Sequence, residues 1–123
     1  KLRFANAAHN PPLLWRGSTK KIIKLDAEGY VIGLQKDAEY QCVEIQLESS
    51  DLVLYYTDGI TDTSNSSGER FGEKNLINTF TKLCKKELSS QNILNEIFKT
   101  LDKYSGNKQT LDDDASIVIF KLE

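Results

Sequence analysis

The sequence predicts an α+β chain built on antiparallel strands, and three patterns carry that expectation. Val43, Ile45 and Leu47 alternate with Glu44, Gln46 and Glu48, the period of a strand with one wet face. Leu52 to Tyr56 is an apolar, β-forming run without alternation, as in a strand covered on both faces. Leu76, Ile77, Phe80 and Leu83, and then Leu94, Ile97, Phe98 and Leu101, recur at the spacing of two amphipathic helices.

Taken in order, Leu2 to Ala8 and Leu13 to Arg16 read as short strands, and Asn10-Pro11-Pro12 between them is turn chemistry. A hairpin is the expected result. Lys20 to Leu25 is another short strand, followed by a polar, glycine-bearing loop from Asp26 to Tyr40 whose structure the pattern leaves open. Cys42 to Glu48 is the alternating strand, Glu48-Ser49-Ser50-Asp51 a polar turn, and Leu52 to Tyr56 the central strand. Thr57 to Gly68 has the composition of an extended loop, with a helical turn around Ile60. The first helix follows Gly72, and the second follows the capping candidates Ser89 and Ser90 and ends at Gly106. Leu111-Asp112-Asp113-Asp114 then leads into the β-rich run Ser116 to Phe120. No repeat or low-complexity tract interrupts this plan.

A length of 123 residues suits one domain, and 39% apolar with 28% charged residues suits a packed core. The net charge of −2, with lysines dispersed along the chain, argues against nucleic acid as a partner. No apolar run approaches the ~20 residues of a spanning helix, so direct membrane insertion is not expected and a cytoplasmic location is the default. Cys42 and Cys84 lie in no metal-binding or disulfide spacing and read as reduced packing residues. The chain opens at Lys1 and contains no methionine, which is expected of an internal piece of a longer polypeptide.

Chemistry is concentrated at two acidic points. Asp58 follows the central strand, and Asp112, Asp113 and Asp114 precede the last one. If those strands are antiparallel neighbours, both points meet at one end of the sheet, where converging carboxylates are relieved by a hard cation such as Mg²⁺ or Mn²⁺. Gly59 would let backbone or bound water come close to the ion. The plainer reading stays open beside this one, because Asp-Gly is a common turn dipeptide and a run of aspartates can be a solvated loop. His9, the sole histidine, is either a hydrogen-bonded structural residue or a base, and the former is the commoner role. No serine or cysteine sits in a nucleophile motif, and neither a phosphate-cradling glycine loop nor an EF-hand pattern, the mark of a calcium-binding domain, is present.

Four segments occur in a telling order. They are Phe4-Ala5-Asn6-Ala7-Ala8-His9-Asn10-Pro11-Pro12-Leu13-Leu14, Leu54-Tyr55-Tyr56-Thr57-Asp58-Gly59-Ile60-Thr61-Asp62, Gly68-Glu69-Arg70-Phe71-Gly72 and Asp113-Asp114-Ala115-Ser116-Ile117-Val118. Together they resemble the bacterial branch of the PPM, or protein phosphatase 2C-like, serine/threonine phosphatases, typified by stage II sporulation protein E and stress-response sigma-factor regulators. The resemblance implies an α-β-β-α sandwich with antiparallel sheets and a dinuclear Mn²⁺/Mg²⁺ site at one end. It makes Asp58 and Asp113 metal ligands, Asp114 a neighbour that orients or hydrates the site, and Asp112 an extra acid. It also implies hydrolysis of phosphoserine or phosphothreonine by metal-activated water, without a covalent enzyme intermediate. The substrate implied is a regulatory phosphoprotein such as an anti-sigma-factor antagonist.

Departures from the pattern refine these expectations. Ala8 stands where the family usually has glycine, Gly29 to Gly33 is a diverged form of a glycine-proline-leucine-glycine loop, and Asp62 replaces a frequent glutamate. The family's Asp-Tyr-Asp and Gly-Asp-x-x-Gly-His-Gly segments do not occur here. The chain therefore reads as the C-terminal part of a phosphatase domain, residues 1 to 123, with the N-terminal part and its metal ligands missing. On its own it is expected to bind metal weakly, hydrolyse little and self-associate through uncovered sheet edges. The alternative is a non-catalytic, phosphatase-like binding or regulatory module.

Overall fold

A computed structural model of the chain describes residues 1–106 and 113–123. Its elements are β1 (Leu2–Phe4), β2 (Leu13–Arg16), β3 (Lys21–Lys24), β4 (Val43–Ile45), β5 (Leu52–Tyr56), α1 (Asp58–Asp62), α2 (Gly72–Cys84), α3 (Ser90–Tyr104) and β6 (Ile117–Lys121). A four-stranded sheet has the order β3-β2-β5-β6, antiparallel throughout, and β1 pairs with β4 in a separate two-stranded sheet.

The expected hairpin of the first two strands does not form. β1 pairs with β4, Leu2 facing Ile45 and Phe4 facing Val43, while β2 lies between β3 and β5 in the other sheet. The chain bends at Ala7 and Ala8, inside the Asn6–His9 hydrogen bonds, while Asn10-Pro11-Pro12, expected to be the turn, runs without one into β2 as the chain passes from one layer to the next. Leu25 donates its backbone N–H to the Pro12 carbonyl at 2.8 Å, so the segment after Pro12 is tied to the end of β3.

β5 explains its own lack of alternation. Leu52, Leu54 and Tyr56 join Leu13 and Trp15 in a core with α2 and α3, built on Leu76, Phe80, Ile93, Ile97 and Leu101. Val53 and Leu14 point the other way, into a second core shared with Leu2, Phe4 and Ile45 of the small sheet. A strand covered on both sides has no wet face, hence no polar register. The layers are thus helices, four-stranded sheet and two-stranded sheet, the α+β arrangement of antiparallel sheets flanked by helices.

Both long helices sit where their spacing predicts. Ser89 caps α3, its hydroxyl accepting from the Asn92 N–H at 3.2 Å, and Gly106 follows the helix in a left-handed conformation (φ 76°). Ile93, not in the sequence pattern, is fully buried, whereas Leu94 is half-buried. Among the described residues no helix is long and apolar enough to cross a membrane.

Candidate active site

The antiparallel ladder between β5 and β6 fixes the geometry. Tyr56, the last residue of β5, pairs with Ile117, the first of β6. One step further, Thr57 donates its N–H to the Ser116 carbonyl at 3.1 Å. The Thr57 hydroxyl then accepts from the Ser116 N–H at 3.0 Å and makes a long contact of 3.4 Å with the Asp114 carbonyl. Asp58 leaves one strand at the same end of the sheet at which Asp113 and Asp114 approach the other. Asp112 lies outside the described residues.

Gly59 locks the two segments together. A Cβ on it would stand 2.2 Å from the Asp114 carbonyl oxygen and 3.2 Å from the Ala115 Cα, so only glycine lets the backbones pass this closely. The role given to Gly59 by sequence was to admit an ion or water, and the packing supplies a different and sufficient reason for it.

The carboxylates themselves are little engaged. Asp58, Asp113 and Asp114 are all exposed. Among the described residues the Asp58 carboxylate makes no hydrogen bond or ion pair, and the Asp113 Oδ1 accepts only the N–H of Asp114, at 2.7 Å. Hard oxygen donors with free lone pairs suit Mg²⁺ or Mn²⁺, but such ions take about six oxygens. Three carboxylates on two segments leave that shell incomplete, and no group of three or more metal-capable side chains is assembled among the described residues. The donor type therefore fits the ion, while the donor number falls short.

The segment after Asp58 is firmly held. Ile60 is fully buried, and the buried Thr63 donates its hydroxyl to the Gly59 carbonyl at 2.8 Å. Phe71 closes the loop, its N–H meeting the Thr63 carbonyl at 2.8 Å and its ring packing edge-on against Tyr104 at 5.2 Å. Arg70 pairs with Asp62 at 3.0 Å. Asp62 thus faces a cation one helical turn beyond Asp58.

The Asn6 to Asn10 turn belongs to the same end, because β2 enters the sheet beside Leu54 and leaves it, at Arg16, beside Asp51. Asn6 clamps the turn, donating to the His9 carbonyl at 2.7 Å and accepting from the His9 N–H at 2.8 Å. The His9 ring is exposed and its Nδ1 lies 3.0 Å from the Asn10 carbonyl, a local contact with no link to the aspartates. Ala8, in the position expected to be glycine, has φ 61°. Asn6 also meets Gly29, where a Cβ would stand 1.9 Å from the Asn6 carbonyl oxygen.

Sequence reasoning missed Thr57, which ties the two acidic segments by both its backbone and its hydroxyl. Its position directly before Asp58, with Ser116 three residues after Asp113, was the available signal.

The whole chain, residues 1–123, matches the family model described as stage II sporulation protein E (SpoIIE). It is 26% identical over 120 residues to phosphoserine phosphatase RsbU of Bacillus subtilis, covering 96% of this chain and 34% of that protein. The SiaA-PP2C domain of Pseudomonas aeruginosa superposes with a TM-score of 0.78 at 21% identity, over 98% of this chain and 47% of that one. The PP2C phosphatase domain of SpoIIE from Bacillus subtilis, with a fragment of its regulatory domain, gives 0.72 at 17% identity, over 98% and 34%. At such identities the structural likenesses establish the fold. The chain spans about a third of RsbU and under half of the SiaA domain.

Proposed function

The chain belongs to the SpoIIE family of PP2C-like phosphatases, and from that premise we propose that it is the C-terminal part of a metal-dependent serine/threonine phosphatase domain. In this reading Asp58 and Asp113 are metal ligands, Asp114 orients the metal's surroundings, and an upstream part of the domain supplies the remaining donors. The observation that carries it is the β5–β6 ladder continued through Thr57 and Ser116, with Gly59 against Asp114, which unites the two acidic segments. The small share of RsbU and of the SiaA domain that this chain spans supports the incomplete site.

Bound Mn²⁺ or Mg²⁺ supplies Lewis acidity, acidifying water and polarising a phosphoryl oxygen. The residues of this chain do the holding. Asp58 and Asp113 offer hard oxygen donors from two segments that Thr57 pins together, and Thr63 and Ile60 keep the loop beyond Asp58 from drifting. The substrate is a phosphoserine or phosphothreonine on a regulatory protein, of the kind an anti-sigma-factor antagonist represents. The name of RsbU as a phosphoserine phosphatase supports that substrate class.

The test uses the longer polypeptide containing this chain. Mn²⁺-dependent release of p-nitrophenol from p-nitrophenyl phosphate falls by about a hundredfold or more in Asp58→Asn, the scale of losing several kcal/mol of charge stabilisation. Equal activity in the two proteins removes Asp58 from the mechanism. A second reading, a non-catalytic phosphatase-like module, draws on the lack of a three-ligand group among the described residues. Absence of Mn²⁺-dependent turnover in the longer polypeptide selects it.

A further inference from the structure

At the opposite end of β5 from Asp58 lies a cavity of about 290 Å³ between the β2–β3 turn, the turn before β5, the end of α2 and the end of β6. Lys20, Lys85 and Lys121 line it, with Glu87 as the one carboxylate, so the lining carries three positive charges against one negative. None of the three ammonium groups forms an ion pair or hydrogen bond with a described residue, as is true of most of the described lysines, but these three share one cavity lining. Lys85 is the C-cap of α2, where the helix dipole favours a cation, but Lys20 lies in the β2–β3 turn and Lys121 in β6, so no helix end accounts for those two.

A second, independent feature marks the place. Among the described residues five non-glycine positions have left-handed backbones, and three of them, Lys20 (φ 55°), Ser50 (φ 69°) and Glu87 (φ 55°), line this cavity. Each such conformation costs on the order of 1–2 kcal/mol, and strain of this kind gathers where a ligand is held. Trp15, Leu52 and Leu88 give the cavity one apolar side, and the rest of its lining is polar. Cys84 brings no charge, because burial pushes its thiol up to about 12.

We propose that this cavity binds a small phosphorylated anion. Lysine meets phosphate as a compact point charge, where planar carboxylate recognition would favour arginine. The volume corresponds to about ten waters at ~30 Å³ each, room for a phosphoryl group together with a ring-sized apolar body against Trp15. The site is separate from the acidic one. Leu52 pairs with Lys121, and six residues of extended chain at ~3.3 Å each put Asp58 roughly 20 Å away.

Trp15 is the sole tryptophan, so its fluorescence, excited at the red edge of its absorption, reports directly on the cavity. The protein is titrated with inorganic phosphate and with phenyl phosphate at constant ionic strength, in EDTA so that no divalent ion can recruit phosphate to the aspartates. Saturable quenching or enhancement is expected with both. Lys85→Gln weakens binding about threefold and the triple substitution Lys20→Gln, Lys85→Gln, Lys121→Gln about tenfold or more, while Lys99→Gln changes nothing. Tighter binding of phenyl phosphate identifies an organic phosphate as the ligand, and equal affinities identify the free ion. No saturable signal, equal affinity in Lys85→Gln and the parent, or the same change with sodium chloride alone overturns the proposal.

Discussion

Two aspartates bracket β5, and they have opposite fates. Asp51, just before the strand, is fully buried, and both of its oxygens are engaged. Arg16 donates to Oδ2 at 2.7 Å, the Glu48 N–H to the same oxygen at 2.9 Å and the Gly17 N–H to Oδ1 at 3.0 Å. Asp58, just after the strand, is exposed, and its carboxylate is bonded to no described residue. One end of the strand uses its carboxylate to close the structure, joining the β2–β3 turn to the turn before β5. The other leaves its carboxylate unengaged, beside a second acidic segment. A charge already neutralised and saturated has nothing left for a ligand, and this difference marks which end of the sheet can take a cation.

The largest effect that tests this contrast is on stability. Asp51→Ala removes the buried partner of Arg16, 8% exposed, leaving it Glu48 at 3.2 Å and the Gln46 carbonyl at 3.0 Å, and orphans two backbone N–H groups, so it is expected to cost about 2–4 kcal/mol. Asp58→Ala is expected to stay within about 0.5 kcal/mol, as surface substitutions do. Urea unfolding measures both. The double substitution Arg16→Met with Asp51→Leu separates two roles of Asp51. It removes the charge imbalance but leaves the Gly17 and Glu48 N–H groups unpaired, so stability returns only in part. Full recovery would assign the whole effect to the ion pair, and equal losses for Asp51→Ala and Asp58→Ala would erase the distinction between the ends.

The same contrast shows what the sequence could and could not reveal. α2, α3 and β5 were legible because the information is local: Leu76, Phe80 and Leu83 mark a face by spacing, and Leu52 to Tyr56 marks a doubly covered strand by lacking one. That β5 and β6 would be antiparallel neighbours entered only as a condition, yet it decides where Asp58 and Asp113 lie. Strand partners are not local. β1 and β2, eight residues apart, look like a hairpin, but β1 bonds to a strand some forty residues on, because its alternate residues Leu2 and Phe4 complete the second core. Asp51 was legible only as part of a polar turn, since its burial depends on Arg16, thirty-five residues earlier. The motif pattern pointed to Asp58 and Asp113 without revealing Thr57, whose role exists only once the strands are paired.

Gly59→Ala perturbs the open end without touching a carboxylate. Its Cβ would collide with the backbone of Asp114 and Ala115, which cannot rotate away as a side chain can. The expected cost is about 1–3 kcal/mol, typical of forcing atoms into filled space. Because the strain falls between the two acidic segments, Mn²⁺ affinity measured by calorimetry on the longer polypeptide should drop as well. A variant that loses neither stability nor affinity would show that the close pass of these segments is not required.

The smallest effect has the opposite sign. Ala8 holds φ 61° in the turn that leads into β2 on the Asp58 side, fixed there by the two hydrogen bonds of Asn6. An alanine in the left-handed region costs on the order of 1–2 kcal/mol. Glycine removes that strain but enlarges the unfolded ensemble, which returns about 0.4–1 kcal/mol. The net expectation for Ala8→Gly is a gain of about 0.5–1 kcal/mol, seen as a higher urea midpoint at unchanged slope. Ala7, one residue earlier, has no positive φ to relieve, so Ala7→Gly should lose a similar amount from the entropy term alone. Opposite signs at adjacent alanines would trace the effect to backbone conformation, and a loss at both positions would mean that the Asn6 clamp holds the turn without appreciable strain.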